Sequence, residues 1–262
     1  MGISIKTLTQ TLETIAPLQG AAEWDNVGLL LRGTRDIRSV GLCIDLTPPV
    51  WEELSDSDAI IAYHPPIFRG LKRLDGATPR QQTLLAAIRR GIHLYAPHTA
   101  LDAAVDGMSA WLAAAIAPSS TLRELRPIQP SAFDPAVGMG RRAQLAQPVT
   151  LRDSLPRIKR WLGLEHVRIA GDLDRPRTSV AVCPGSGGSV LRGLHDVDVL
   201  ITGELGHHEV LAHVSGGGAV VLTDHTNCER GFLPHYAEML RSRLPEITIQ
   251  HAVMDRDPLA VF

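Results

Sequence analysis

The segment AIIAYHPPIF (residues 59–68) decides the fold, because it is a short apolar run that stops at a histidine and two prolines. Two similar runs flank it, VGLCID (residues 40–45) before it and IHLYAPH (residues 92–98) after it. Short apolar runs bounded by glycine, proline or polar residues are typical of buried strands. A helix is predicted to begin near Pro48, and TPRQQTLLAAIRRG (residues 78–91) has the Thr-Pro start and glycine stop of a second helix. The order β-α-β-α-β therefore predicts a mainly parallel sheet covered by helices.

The rest of the chain continues this alternation. Helices are predicted over residues 6–16 and 108–116, after which four prolines between residues 118 and 135 interrupt any regular pattern and indicate a domain boundary. Beyond it, strands are predicted at residues 143–149, 167–170, 179–185, 198–204, 219–225 and 247–254, and helices at 151–163, 207–214 and 230–240. We therefore expect an α/β protein with two α/β domains, each with a mainly parallel sheet covered by helices.

Composition argues against several classes of protein. The 26 basic and 28 acidic residues give a net charge of −2, without the basic stripe that nucleic acid binding requires. The three cysteines form no CxxC motif, which indicates neither a disulfide framework nor a structural zinc knuckle. No segment approaches the roughly 20 apolar residues of a membrane span. The sequence therefore predicts a soluble, unprocessed protein of the cytoplasm, with no membrane partner and with nucleic acid disfavoured.

Three of the predicted strands end on a histidine, namely His64, His98 and His225. Asp102 and Glu229 each follow a histidine by four residues, which is about one helical turn. Since the strand ends of an open α/β sheet meet at one edge, we expect these side chains to converge, and imidazoles with carboxylates suit a divalent transition metal. Taken alone, each has a structural alternative, such as a histidine that ends a strand or a first-turn glutamate that complements a helix dipole.

The expected convergence also sets the domain boundaries. Because His225 must reach the sheet edge that bears His64, the last part of the chain is expected to return to the first domain. The metal-binding α/β domain would then contain residues 1–125 and 217–262, and residues 126–216 would form a smaller inserted α/β domain.

Two other segments carry weaker signals. GSGGS (residues 185–189) follows a predicted strand and precedes a helix, so it could form an anion nest, although a tight glycine-rich connection is the simpler interpretation. Glu204 ends another strand, and His207 and His208 follow it. We interpret Glu204 and His208 as groups that support the metal ligands or transfer protons.

Five ordered motifs resemble one family, the Nif-three-like dinuclear metal-centre proteins, also called GTP cyclohydrolase I type 2 homologues. They are EWDNVGLLL (residues 23–31), YHPPIF (63–68), HTALDAAVDGMSAWLA (98–113), ITGELGHHEVL (201–211) and DHTNCERGFL (224–233). The resemblance implies two α/β domains, a toroidal homohexamer and two divalent metal ions per subunit, which could be Zn, Fe, Mn, Ni or Co.

Carried over motif by motif, the implied ligands are His64, Asp102, His225 and Glu229, with Glu229 as the bridge between the two metals and His98 close by. One departure stands out, because Tyr63 lies where bacterial members often have a second histidine. A neutral phenol is a poorer ligand than imidazole, so one metal would bind more weakly or His98 would complete its coordination.

The expected function is that of a metal-dependent hydrolase of the GTP cyclohydrolase I type 2 kind, acting on a small molecule. The first alternative is a non-enzymatic metal-binding regulatory or scaffold protein. The second is a single-stranded nucleic acid binder, which the 4% aromatic content disfavours.

Overall fold

The computed structural model describes residues 2–260, and within them the chain alternates strands and helices from end to end. The strands are β1 (Gly28–Leu31), β2 (Ser39–Cys43), β3 (Ala59–Ala62), β4 (His93–Ala96), β5 (Leu122–Pro130), β6 (Gly138–Val149), β7 (Arg168–Ala170), β8 (Arg177–Ser186), β9 (Val199–Glu204), β10 (Ala219–Leu222) and β11 (Thr248–His251). The α-helices are α1 (Ile5–Ile15), α2 (Pro48–Leu54), α3 (Pro79–Arg90), α4 (His98–Ala103), α5 (Met108–Ala113), α6 (Leu151–Leu162), α7 (Gly188–Leu191), α8 (His207–Ser215), α9 (Asn227–Arg230) and α10 (Leu233–Arg241). The predicted α/β class is confirmed. No helix in this part of the chain has the length and apolar character to cross a membrane.

The described chain divides into two compact units, each with its own sheet. Unit 1 contains the residues up to Leu101 and those from Leu233 onward, and unit 2 is Asp102–Phe232. These limits differ from the predicted boundaries near residues 125 and 216. The segment after Gly216 stays in unit 2 because β10 pairs with β9 and β7, and the segment from Asp102 joins it because α5 packs on β6 and β8.

The sheet of unit 1 has the strand order β1-β4-β3-β2-β11. All neighbours are parallel except the edge strand β1, which runs antiparallel to β4. Its central strands are buried along their whole length, and Ile60 and Leu94 pack with Val50 of α2 and Leu84 of α3. Gly91 ends α3 in the left-handed conformation (φ 66°), which confirms the predicted stop signal.

The sheet of unit 2 has the order β5-β6-β8-β9-β10-β7 and is mixed. Strands β8, β9 and β10 are parallel, while β5, β6 and β7 pair antiparallel. Strand β5 lies in the stretch predicted to be irregular, and β6 begins before the strand predicted at residues 143–149. Most of β5 faces solvent, so it lacks the apolar alternation that identifies a strand in sequence. Unit 1 therefore has four adjacent parallel strands and unit 2 has three, and in each sheet their carboxyl ends meet at one edge.

Candidate metal centre

In unit 1, the ends of the parallel strands bring acid and histidine side chains together. His64 lies two residues beyond β3, and Asp45 lies two residues beyond β2. Their side chains form a hydrogen bond, with His64 Nδ1 3.0 Å from Asp45 Oδ1. Because an ionised carboxylate can only accept, Nδ1 carries the proton and Nε2 is the ring atom that can bind a metal. A carboxylate on the second ring nitrogen is the usual support of a metal-binding histidine.

His98, two residues beyond β4, has the same kind of support. Its Nδ1 lies 2.8 Å from Asp25 Oδ1, and the Asp25 side chain is fully buried. Thr99 donates to the other carboxylate oxygen from its hydroxyl at 2.5 Å and from its backbone N–H at 3.2 Å. Burial by itself raises the pKa of Asp25, but the hydrogen bonds from His98 and Thr99 outweigh it and hold that pKa below its usual value.

Several aromatic rings surround His98. The centroids of the His64 and Tyr63 rings both lie 5.3 Å from the His98 ring centroid, in edge-to-face orientations. Trp24 and Phe68 lie at 6.1 and 6.5 Å, also edge to face. Tyr63 is buried, and its ring lies beside both imidazoles. His98 itself has φ 29°, a strained backbone conformation of the kind that concentrates at functional sites.

In unit 2, His225 and Glu229 lie one turn apart, as the sequence predicts. Helix α9 begins at Asn227, and His225 Nε2 is 3.9 Å from Glu229 Oε1. Glu229 is only 1% exposed. The other ring nitrogen of His225, Nδ1, lies 3.1 Å from Glu204 Oε2. Each of the three strand-end histidines therefore has a carboxylate on Nδ1.

The backbone of Gly185 packs closely against these donor atoms. It has φ +58°, and a Cβ built there would lie 2.7 Å from Glu229 Oε1 and 3.0 Å from His225 Nε2. Only glycine combines this left-handed conformation with the close approach. Because Gly185, the first glycine of GSGGS, has no side chain, the donor atoms of Glu229 and His225 stay accessible, as binding of a metal ion would require. The contacts of Gly185 do not support the anion nest.

The remaining predicted ligand, Asp102, lies on α4, four residues after His98, and is 6% exposed. Arg141 caps the end of this helix, because its guanidinium donates to the carbonyl oxygens of Ala103 and Ala104 at 2.9 and 2.7 Å. It also donates to Gly138 and Gly140 carbonyls of its own strand. Burial lowers the pKa of Arg141 to about 10, and Asp102 acts in the opposite direction, so the guanidinium stays charged at neutral pH.

Two buried thiols lie close to these acids. Burial raises the pKa of Cys183, and the charges of Asp102 and Glu229 raise it further. Burial also raises the pKa of Cys228 well above its usual value. Cys228 Sγ accepts from Gly185 N–H and donates to the His225 carbonyl, both at 3.1 Å, and so ties α9 to the end of β8. Both cysteines are neutral at physiological pH and structural in role.

The predicted site residues fall into both units. His64 and His98, with Tyr63, belong to unit 1, whereas Asp102, Glu204, His208, His225 and Glu229 belong to unit 2. Within unit 2, the imidazole of His225 and the carboxylate of Glu229 are donor groups that could bind a metal ion.

His208 lies on α8, which follows the strand that ends at Glu204. Its exposed ring packs on His207 and lines a cavity of about 410 Å³ that includes neither Glu204 nor His225.

Sequence reasoning missed the two acids of unit 1 that support histidines. Asp45 ends an apolar strand, which is the signal that singled out the histidines, and it could have been found in the same way. Asp25 lies in the loop of the EWDN motif, far from any strand end, and only the folded structure reveals its contact with His98.

The fold and these side chains define a class: an α/β protein with two sheets whose parallel strand ends hold carboxylate-supported histidines. The sequence profile of one family, Duf34/NIF3 (NGG1p interacting factor 3), matches residues 3–258. The chain belongs to this family, which confirms the resemblance seen in the sequence motifs.

Related sequences support the family assignment, and solved structures support the fold. The chain is 40% identical over 267 residues to a NIF3 homologue of Schizosaccharomyces pombe, covering 96% of each chain. It is 35% identical to NGG1-interacting factor 3 of Saccharomyces cerevisiae, covering 91% of this chain and 90% of that one. A Staphylococcus aureus hypothetical protein shares the fold with a TM-score of 0.84 at 23% identity and full coverage of both chains. Reduced HcgD of Methanocaldococcus jannaschii has a TM-score of 0.82 at 23% identity, covering 97% of this chain and 99% of that one.

Proposed function

We propose that this protein is a metal-dependent hydrolase of the GTP cyclohydrolase I type 2 kind, with two divalent metal ions per subunit. The ligands in this proposal are His64, Asp102, His225 and Glu229, with Glu229 as the bridge. His98 is the candidate that completes the coordination where Tyr63 cannot.

One observation carries the proposal: each of the three strand-end histidines has a carboxylate hydrogen-bonded to Nδ1. A single such pair is common in proteins. Three pairs at the ends of parallel strands leave three Nε2 atoms available for ligation, and a carboxylate on Nδ1 is the usual support of a metal-binding histidine.

The burial of the acids supports the same conclusion. A carboxylate that is 1% exposed, as Glu229 is, loses its hydration and needs positive charge or hydrogen bonds in compensation. Its Oε1 lies 3.9 Å from His225 Nε2 and faces Gly185, which has no side chain. A divalent cation bound there would add positive charge beside this buried carboxylate.

Divalent metal ions held in this way lower the pKa of a bound water and polarise the oxygen of a substrate. The surrounding residues then have defined roles. Glu204 holds the His225 ring by accepting from Nδ1, and its side chain is 54% exposed, so it can exchange protons with solvent. We assign proton transfer to Glu204, with His208 as the other candidate.

Turnover by variants tests the proposal. Metal-loaded protein is incubated with GTP and with a panel of cyclic amidines and phosphoesters, and release of formate or of the hydrolysed product is measured. Turnover should be lost in His225→Ala and Glu229→Ala and kept in the surface controls His166→Ala and Glu246→Ala, both of which change exposed side chains. Wild-type turnover no better than that of the two ligand variants across the whole panel would contradict the enzyme assignment.

A second candidate function is a metal-binding scaffold without catalysis. It is favoured by the name of the yeast relative, NGG1-interacting factor 3, which describes a protein that interacts with a partner. It predicts metal binding by wild-type protein with no turnover on any substrate of the panel.

A further inference from the structure

The loop that contains Trp24 is fixed on both sides by polar contacts. Asp25 accepts hydrogen bonds from His98 and Thr99, and Ala22 N–H donates to the Thr99 hydroxyl at 3.0 Å. Asn26 donates from its side chain to the Ile67 carbonyl at 2.5 Å, which ties the loop to the segment that carries Phe68. The loop therefore holds Trp24 between two anchored neighbours.

The rings of Trp24 and Phe68 are exposed beside His98. Trp24 is 65% exposed and Phe68 is 37% exposed. Their ring centroids are 6.0 Å apart with planes inclined at 55°, so together they form an open wedge. The other three tryptophans, Trp51, Trp111 and Trp161, are buried or half-buried, which makes the exposure of Trp24 a local feature.

We propose that Trp24 and Phe68 form a stacking surface, the aromatic wedge, that binds the flat heteroaromatic ring of the substrate next to His98. This inference rests on the proposed function and names the residues that would hold the purine ring of its GTP-like substrate. Trp24 and Phe68 act as substrate-positioning residues, because neither has a group that could take part in hydrolysis.

The size of the wedge favours a small planar ligand over a protein partner. Two partly exposed rings cover far less than the roughly 800 Å² per partner that a stable protein interface buries. Aromatic faces recognise a base through stacking, which tolerates changes in the base because every base has a π-face. The wedge also adjoins His98 and, through it, His64, so a ring held there would lie beside the proposed chemistry.

Calorimetric titration of GMP against ribose 5-phosphate tests this role, because the two ligands share sugar and phosphate and differ by the base. Wild-type protein should bind GMP more tightly, and Trp24→Ala should weaken GMP binding by about 5- to 150-fold, the range that loss of one aromatic stacking partner gives. Trp24→Phe should keep most of the preference. Phe133→Ala, which removes another exposed aromatic ring, is the matched control and should bind as wild type does.

Other outcomes overturn the inference. Equal affinities of wild-type protein for GMP and ribose 5-phosphate would do so, as would Trp24→Ala binding GMP with wild-type affinity. A change of oligomeric mass in Trp24→Ala by light scattering, with GMP affinity unchanged, would assign the wedge to a subunit interface instead. Metal affinity is measured separately by chelator competition. Turnover on the substrate panel without a preference for GMP over ribose 5-phosphate would refute the aromatic wedge alone, whereas failure of the proposed function appears as absence of turnover by metal-loaded wild-type protein.

Discussion

Replacing Gly185 by alanine tests the metal centre through a residue that ligates nothing. The added Cβ would lie 2.7 Å from Glu229 Oε1, whereas ordinary contacts begin at 3.4 Å, so the carboxylate oxygen or the backbone must move by about 0.7 Å (3.4 − 2.7). The Cβ would also lie 3.0 Å from His225 Nε2. Both proposed ligand atoms are therefore displaced together.

Two costs add in this variant. An alanine at φ +58° costs about 1–2 kcal/mol of folding free energy because the left-handed conformation crowds its Cβ. Metal sites tolerate about 0.5 Å of displacement, so a larger shift should lower metal affinity by about 10- to 100-fold, as loss of a supporting contact does. The first cost applies to any left-handed glycine, and only the second is specific to the site.

The matched control is Gly163→Ala. Gly163 ends α6 at φ +71°, and a Cβ there would meet nothing within 4 Å. Both variants are compared by urea denaturation and by competition with a chromogenic chelator for Zn²⁺. We expect similar losses of stability without metal, and reduced Zn²⁺ affinity only in Gly185→Ala. Equal Zn²⁺ affinities of the two variants would refute the assignment of His225 and Glu229 as ligands.

Three further predictions concern the supporting residues. Asp25→Asn should make the free energy of unfolding less sensitive to acid. The pKa of Asp25 is lowered in the fold, so its stabilising contribution is present above its ordinary pKa of 3.8 and is lost as pH falls through the lower folded pKa. Urea denaturation between pH 7 and pH 2.5 should therefore show a shallower decline than in wild type, and identical slopes would contradict the pairing with His98. Arg141→Met should destabilise the protein by about 3 kcal/mol or more, since four carbonyl oxygens lose a charged donor, and a loss below about 1 kcal/mol in thermal and urea unfolding would rule out the capping role. Glu204→Gln should weaken metal affinity by about 10- to 100-fold in the chelator assay while stability changes little, because the side chain that supports His225 is half-exposed; unchanged affinity would exclude that support.

The sequence predicts the elements that are buried and periodic. The strands that carry His64 and His98 and the helix that ends at Gly91 were predicted because their apolar runs and stop signals are local. The sequence does not predict β1, β5 or the first half of β6, whereas it does predict the second half of β6 at residues 143–149. β5 is an edge strand with mostly exposed residues and β1 is an edge strand of only four residues, so neither shows the alternation that identifies a strand.

The sequence predicts His64, His98 and His225 because they terminate strands, and it predicts Asp102 and Glu229 because each follows a histidine or strand end by about one helical turn. The sequence does not predict how these residues are distributed over the two units. That distribution depends on the pairing of β10 with β9 and β7, and long-range strand pairing has no local sequence signal. The contacts of Asp25 with His98 and of Gly185 with Glu229 join residues more than 40 positions apart. Only the fold makes them visible.

The most direct test of the central claim is anomalous diffraction from crystals of protein purified without added metal, joined to elemental analysis of the same sample. We expect bound divalent metal with anomalous density at His225 Nε2 and Glu229 Oε1, and with His64 and Asp102 among the ligands. Crystals without anomalous density at these atoms, even after soaking in Zn²⁺ or Mn²⁺, would contradict it.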